Sequence, residues 1–188
     1  MNTVYFKTAG EHNTDETLKL SLNCAKSRGI WHIIIATTTG KTALKAVKIF
    51  DPKEFNLVIV SHMTGFRRPG VQELDEKIRE QLIQAGAKVL TTTHVLSGIE
   101  RAIRYKFDTI GPTELIAYTL RLFGQGTKVC VEITVMAADA GLIPLDEDVI
   151  AIGGTSSGAD TAAIIRPAHS NNFFDLKIRE LICKPSDF

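Results

Sequence analysis

The chain is poor in cysteine. Cys24, Cys130 and Cys183 stand far apart with no CxxC, and an odd, sparse set fits a reducing cytosol better than a disulfide framework. Each reads as a small core residue, with a catalytic thiol as the second reading. An excess of one charge is missing too: 22 basic residues face 21 acidic ones, and no basic run extends beyond Arg67-Arg68. A nucleic-acid partner is therefore not expected. No window approaches the run of about 18 apolar residues that a membrane helix needs. The chain also does not open on a basic segment leading into an apolar one. Neither a membrane span nor a signal peptide is expected, so the expectation is a soluble cytoplasmic protein. Metal-ligand spacing is absent, with no HExxH or paired CxxC. No Gly-x-Ser-x-Gly marks a hydrolase nucleophile, and no residue stands out as acid, base or nucleophile.

What is present is alternation. The 188 residues carry no repeat, low-complexity tract or long linker, and read as one domain over 1–188. Apolar runs at 3–6, 32–38, 56–62 and 88–94 read as strands. Between them lie helical patterns at 13–29, 41–50 and 70–87. Asn13 and Glu16 are spaced for a capping box, and Gly29 for a C-terminal stop. Leu74, Ile78 and Leu82 fall on one helical face. Three further helices are expected across 97–141, the last because Val131, Val135 and Ala138 share a face that a strand would split. Runs at 148–154, 159–168 and 176–184 return to strand. The fold expected is α/β, a three-layer sandwich with a mostly parallel sheet, antiparallel at one edge.

In such a sheet, ligands bind beyond the carboxyl ends of the strands, and three loops there carry chemistry. TTTGKT (Thr37, Thr38, Thr39, Gly40, Lys41, Thr42) opens a helix, where free N–H groups, hydroxyls and one cation can receive an anion. Gly40 is expected to let the main chain approach a ligand oxygen. The alternative is that Thr39 simply caps the helix. The stretch is not a P-loop, since Ile35 occupies the position of that motif's first glycine. The loop Gly153, Gly154, Thr155, Ser156 through Asp160 and Thr161 lacks the dinucleotide spacing, yet can hold a phosphate or let a flat ring lie against bare backbone. Asp160 reads either as an acceptor for a ribityl or ribose hydroxyl or a ring N–H, or as a cap. The third loop is Ser61, His62, Met63, Thr64, Gly65 and Phe66, followed by Arg67 and Arg68. His62 is read as a pocket wall or a structural histidine, Phe66 as a stacking partner or a loop anchor. His94 falls on the same edge with the same two readings. His32 lies on the opposite edge.

TTTGKTA resembles the T-x-S/T-G-x-S/T-A segment of the C-terminal α/β domain of pyruvate kinase. Thr37, Thr39, Gly40, Thr42 and Ala43 match it, with Lys41 where arginine is frequent. The chain as a whole, from YFKTAGEHNTDETL to GGTSSGADTAAIIRPAHS, is similar to small stand-alone relatives of that domain, prokaryotic proteins of uncharacterised role. The resemblance implies a phosphate grip at Thr37, Thr39, Gly40 and Thr42. It does not extend to the catalytic barrel, so phosphoenolpyruvate chemistry is not carried over. The stand-alone relatives resemble binders of flavin mononucleotide (FMN), which implies a phosphate on the first loop and the ribityl chain or ring beside the other two. The rival expectation is a non-catalytic module sensing a sugar phosphate or nucleotide. Homo-oligomerisation is a further expectation, because PTELIAYTLRLFG is apolar on more than one face.

Overall fold

The computed structural model describes residues 2–188. Seven strands form one sheet: β1 (Val4–Thr8), β2 (His32–Thr37), β3 (Asn56–Ser61), β4 (Lys88–Thr91), β5 (Val149–Gly153), β6 (Thr161–Arg166) and β7 (Lys177–Asp187), in the order β1-β7-β6-β5-β2-β3-β4. The helices are α1 (Thr14–Arg28), α2 (Lys41–Ala46), α3 (Glu76–Gln84), α4 (Gly98–Phe107), α5 (Pro112–Arg121) and α6 (Gln125–Asp139). Strands β5, β2, β3 and β4 run parallel, as do β1 and β7. The antiparallel pairings lie in the half built by the late strands, where β6 alone opposes its neighbours β5 and β7.

The central strands are apolar throughout because both faces are covered. Ile33 and Ile35 of β2, Leu57 and Ile59 of β3, and Ile150 and Ile152 of β5 point to one side. There they meet Leu18, Cys24 and Ala25 of α1, Ala43 and Ala46 of α2, and Leu82 of α3. The residues between them, Ile34, Val58, Val60, Val149 and Ala151, point to the other side and pack on Cys130, Val131, Ile133, Met136 and Ala137 of α6. The three cysteines are buried and unpaired, as core residues.

Local differences from the sequence reading have physical causes. The Asn13 side chain does not cap α1. Its amide donates to the carbonyls of Thr8 (2.8 Å) and Gly10 (3.3 Å), and a 3-10 turn over Glu11–Asn13 leads into the helix instead. Gly29 does end α1 in the left-handed region, with φ 65°. Helix α3 begins at Glu76 rather than at Gly70, because Asp75 accepts from the amides of Lys77 and Ile78 and so defines the first turn. Helix α2 stops at Ala46, short of 50.

Helix α6 crosses the sheet closely, and glycine permits it. A Cβ on Gly126 would lie 2.1 Å from Thr161 Oγ1, and one on Gly153 would lie 2.8 Å from Val129 Cγ1. Gly126→Ala should therefore lower stability by roughly 2 kcal/mol, because overpacking outweighs the helix-propensity gain of about 1 kcal/mol. A denaturant titration that shows the variant equal to or more stable than wild type would contradict this close approach.

Candidate functional site

The chain order of the strands sets where a cleft opens. After β2 the chain returns through α2 on one face to β3; before β5 it arrives through α6 on the other face. Helices α2 and α6 therefore lie on opposite faces with their first turns at the same edge, and a crevice opens between them beyond the carboxyl ends of β2 and β5. A cleft of about 900 Å³ occupies this position, within the size range of small-molecule sites. Thr37, Thr38, Thr39, Lys41 and Thr42 line it from β2 and α2; Ser61, His62 and Phe66 line it from the loop after β3; Gly154 and Ser156 line it from the loop after β5. All three loops singled out from the sequence therefore meet at one opening.

Within each loop, some residues face the cleft and others hold the loop together. Gly40 is buried with φ 93°. A Cβ there would strike Ile78 Cγ2 at 2.4 Å and Leu74 Cδ1 at 3.0 Å. Its flexibility thus serves the packing of α2 on α3, not the expected approach of a ligand oxygen. Its N–H is also committed, to Thr37 Oγ1 at 3.1 Å. The amides of Lys41 and Thr42 have no acceptor among the described residues. A helix of six residues adds little dipole, so any anion here relies on these amides, the threonine hydroxyls and Lys41.

The β5–β6 loop is organised from beneath. Asp160 is fully buried; its Oδ2 accepts from the amides of Gly10 (3.0 Å) and Thr155 (3.1 Å), and its Oδ1 from the Thr161 hydroxyl (2.8 Å). The ligand-acceptor reading of Asp160 gives way to the structural one, and Thr161 turns inward with it. Gly153 packs on α6, while a Cβ on Gly154 would meet Gly158 O at 2.6 Å. The glycines therefore let the loop fold on itself, and no bare backbone shelf for a flat ring results from Gly153. Thr155 lies outside the lining, and its buried hydroxyl has no partner among the described residues.

The loop after β3 closes on itself as well. Gly65 donates to Val71 O at 2.9 Å, and Thr64 Oγ1 accepts from Gln72 at 3.3 Å. The Met63 amide reaches His94 Nε2 at 3.4 Å. Met63, Thr64 and Gly65 are thus outside the lining. His62 faces the cleft with Nδ1 held 2.7 Å from Glu73 Oε2, and Glu73 also pairs with Arg67 at 3.0 Å. Phe66 lies 4.1 Å from His62 and 5.0 Å from His94, centroid to centroid, with the Arg101 guanidinium 4.4 Å from its centre. Its ring is already occupied by protein, so it anchors the wall and does not stand open for stacking.

The structure adds residues that the sequence did not single out. Lys128 and Glu132 of α6, buried and four residues apart, form an ion pair in the cleft, and Glu132 Oε1 also accepts the Leu96 amide at 3.1 Å. Desolvation pushes the Lys128 pKa down, with Arg121 and Arg101 acting in the same direction and Glu132 opposing them. The K-x-x-x-E spacing within an otherwise apolar helix was the visible signal. Arg101, Arg121, Glu11, His12 and Lys45 also line the cleft. Six lysines and arginines line it against four carboxylates, and Arg101 and Arg121 lack a carboxylate partner among the described residues. His32 pairs with Glu147 at 3.2 Å, away from this cleft.

Burial holds His94 at a pKa of about 4, opposed by Glu132 and aided by the nearby Lys128 and Arg101 charges. The folded-state value lies below the unfolded one of 6.5, so on acidification the unfolded chain takes the proton first. This contribution is fully present above about pH 6.5 and is lost progressively as pH falls towards 4, by about 3 kcal/mol in all. Stability curves at stepped pH should show that loss, and His94→Gln should lack it. Separately, Asp160→Ala strands three donors and should cost about 3 kcal/mol or more. A variant within 1 kcal/mol of wild type in the same titration, on the order of one hydrogen bond, would remove Asp160 from its structural role.

The structure of Cryptosporidium parvum pyruvate kinase in complex with ADP matches 82% of this chain at 17% identity and a TM-score of 0.42. The match spans 24% of that protein's chain, about a quarter of its length. The family model described as pyruvate kinase, alpha/beta domain, matches residues 15–165, from the start of α1 to the end of β6. That span takes in all three loops of the cleft, and the chain belongs to the family of pyruvate kinase α/β domains.

Proposed function

We propose that the cleft binds a phosphorylated small molecule, and that this molecule is FMN. The observation that carries the reading is the convergence of three hydroxyl- and glycine-bearing loops on one cleft with a surplus of positive charge. The chemistry of the lining fits the group. Thr39, Lys41 and Thr42 offer hydroxyls, unengaged amides and a cation to a terminal phosphate. Ser156 and Gly154 lie opposite, beside the ribityl chain in this reading, and His62 with its Glu73 partner forms a polar wall towards the ring. FMN itself would supply one- or two-electron redox chemistry, leaving the chain to bind and orient it.

A second reading has its own support. Arg101 and Arg121 face the cleft without carboxylate partners among the described residues, which suits a ligand with a second anionic group. A non-catalytic module sensing a sugar phosphate or nucleotide would use them so.

An absorbance titration separates the two. FMN should bind with a perturbed flavin band at roughly 450 nm and, at a hundredfold excess over Kd, stabilise the protein by about 2.7 kcal/mol. Lys41→Ala, an exposed change, should weaken binding by roughly tenfold, or about 1.4 kcal/mol, with little effect on stability. A protein that leaves the flavin spectrum unchanged, yet is stabilised by sugar phosphates, would favour the second reading.

A further inference from the structure

Helix α4 is amphipathic the wrong way round for an isolated molecule. None of its ten residues is buried. Three of its four charged side chains, Glu100, Arg101 and Arg104, face the body of the protein, and Lys106 is exposed. Glu100 accepts the amides of Thr113 (3.1 Å) and Glu114 (2.9 Å) at the start of α5. Arg104 pairs with Glu114 at 3.2 Å, and Arg101 covers Phe66. Its apolar stripe, Ile99, Ile103 and Phe107, is exposed, with Ile99 78% and Phe107 69% accessible. Helix α5 with its C-terminal cap repeats the pattern: Leu115, Tyr118 and the capping Leu122, spaced i, i+3, i+7, turn outward, while Glu114 and Ala117 are buried. Ile110 is exposed in the connection between the two helices. Monomers rarely leave that much apolar surface in one region.

We propose that the outer face of the α4–α5 pair is an interface with a second copy of this chain. Area supports it: seven large apolar side chains, at on the order of 100 Å² each, approach the roughly 800 Å² that each partner contributes to a stable interface. Charge supports a second copy in particular. Arg104 and Glu114 pair within the subunit and the Glu100 carboxylate is engaged by two backbone amides, while Lys106 and Asp108 at the end of α4, without ion-pair partners among the described residues, have opposite signs. Such a face can meet its own image across a two-fold axis without like charges opposing one another. A lipid surface fits less well, because interfacial helices carry a free basic face, whereas the polar face of α4 is turned inward and engaged. The same two helices carry Arg101 and Arg121 into the cleft, so the interface would also hold one wall of that cleft in place.

Sedimentation equilibrium of the full chain without ligand tests this. Wild type should be a dimer at micromolar concentration. Leu115→Glu and Leu122→Glu alter exposed side chains and should fold, with unchanged circular dichroism and self-association weakened roughly a hundredfold. Hydrogen exchange across 98–122 should be faster in these variants than in wild type, and unchanged in the central strands. A monomeric wild type, or folded variants that remain dimeric, would overturn the proposal. Both outcomes are independent of whether FMN binds.

Discussion

The cleft depends on one buried carboxylate. Asp160 lies beneath the loop after β5 and gathers three donors: the Gly10 amide, the Thr155 amide and the Thr161 hydroxyl. They tie the two ends of the loop to each other and to the turn before α1, beside the bonds that the Ala159 amide and the Thr17 hydroxyl make between the loop and α1. The Gly10 bond also draws the entrance of α1 to the loop, and Ser157 donates to Glu11 at 2.9 Å across the same seam. A side chain that looks like a ligand contact in the sequence thus acts one layer below, fixing the surface a ligand would meet. Buried polar groups of this kind are costly when left incomplete, so they also impose a single arrangement.

The cleft's electrostatics follow the same logic. Most of its charges are committed to partners: Lys45 to Asp15, Arg67 and His62 to Glu73, Lys128 to Glu132. The buried Lys128–Glu132 pair is held where desolvation is greatest, and Glu132 uses its second oxygen to tie α6 to the segment after β4. Arg101 and Arg121 are held by contacts that leave their charge uncompensated. Arg101 lies over Phe66; Arg121 is 5.0 Å from the Tyr118 ring centre and donates to Gln125 at 2.7 Å. Guanidinium groups positioned by aromatic and amide contacts keep their charge available to an anion.

Much of the architecture was legible along the chain. The apolar runs of β2, β3 and β5 needed no context, since strands covered on both faces read as continuous apolar stretches. The extension of VCVEITV into MAADAG identified α6 as a helix, and its residues from Cys130 to Ala138 are all buried. Capping was harder. Asn13 and Glu16 have the spacing of a capping box, but Asn13 found better acceptors in Thr8 and Gly10 once β1 was in place. The start of α3 depended on Asp75, whose side chain competed successfully with the Gly70 boundary. Ten of the loop residues that reach the cleft were singled out because glycines and hydroxyls cluster after strands. Lys128, Glu132, Arg101 and Arg121 were not, because they come from helices whose orientation to the opening depends on how they cross the sheet.

The linear chain determined the alternation of strand and helix, the burial of the central strands and the positions of the three loops, because these follow from periodicity and local chemistry within a few residues. Only the tertiary structure decided which side of each loop faces the cleft. Gly40 turned to α3, Asp160 turned beneath its own loop, and Phe66 was taken up by His62 and Arg101. The physical reason is competition: a glycine, a carboxylate or an aromatic ring serves a ligand only if no nearer protein group claims it. That claim is made by residues distant in sequence.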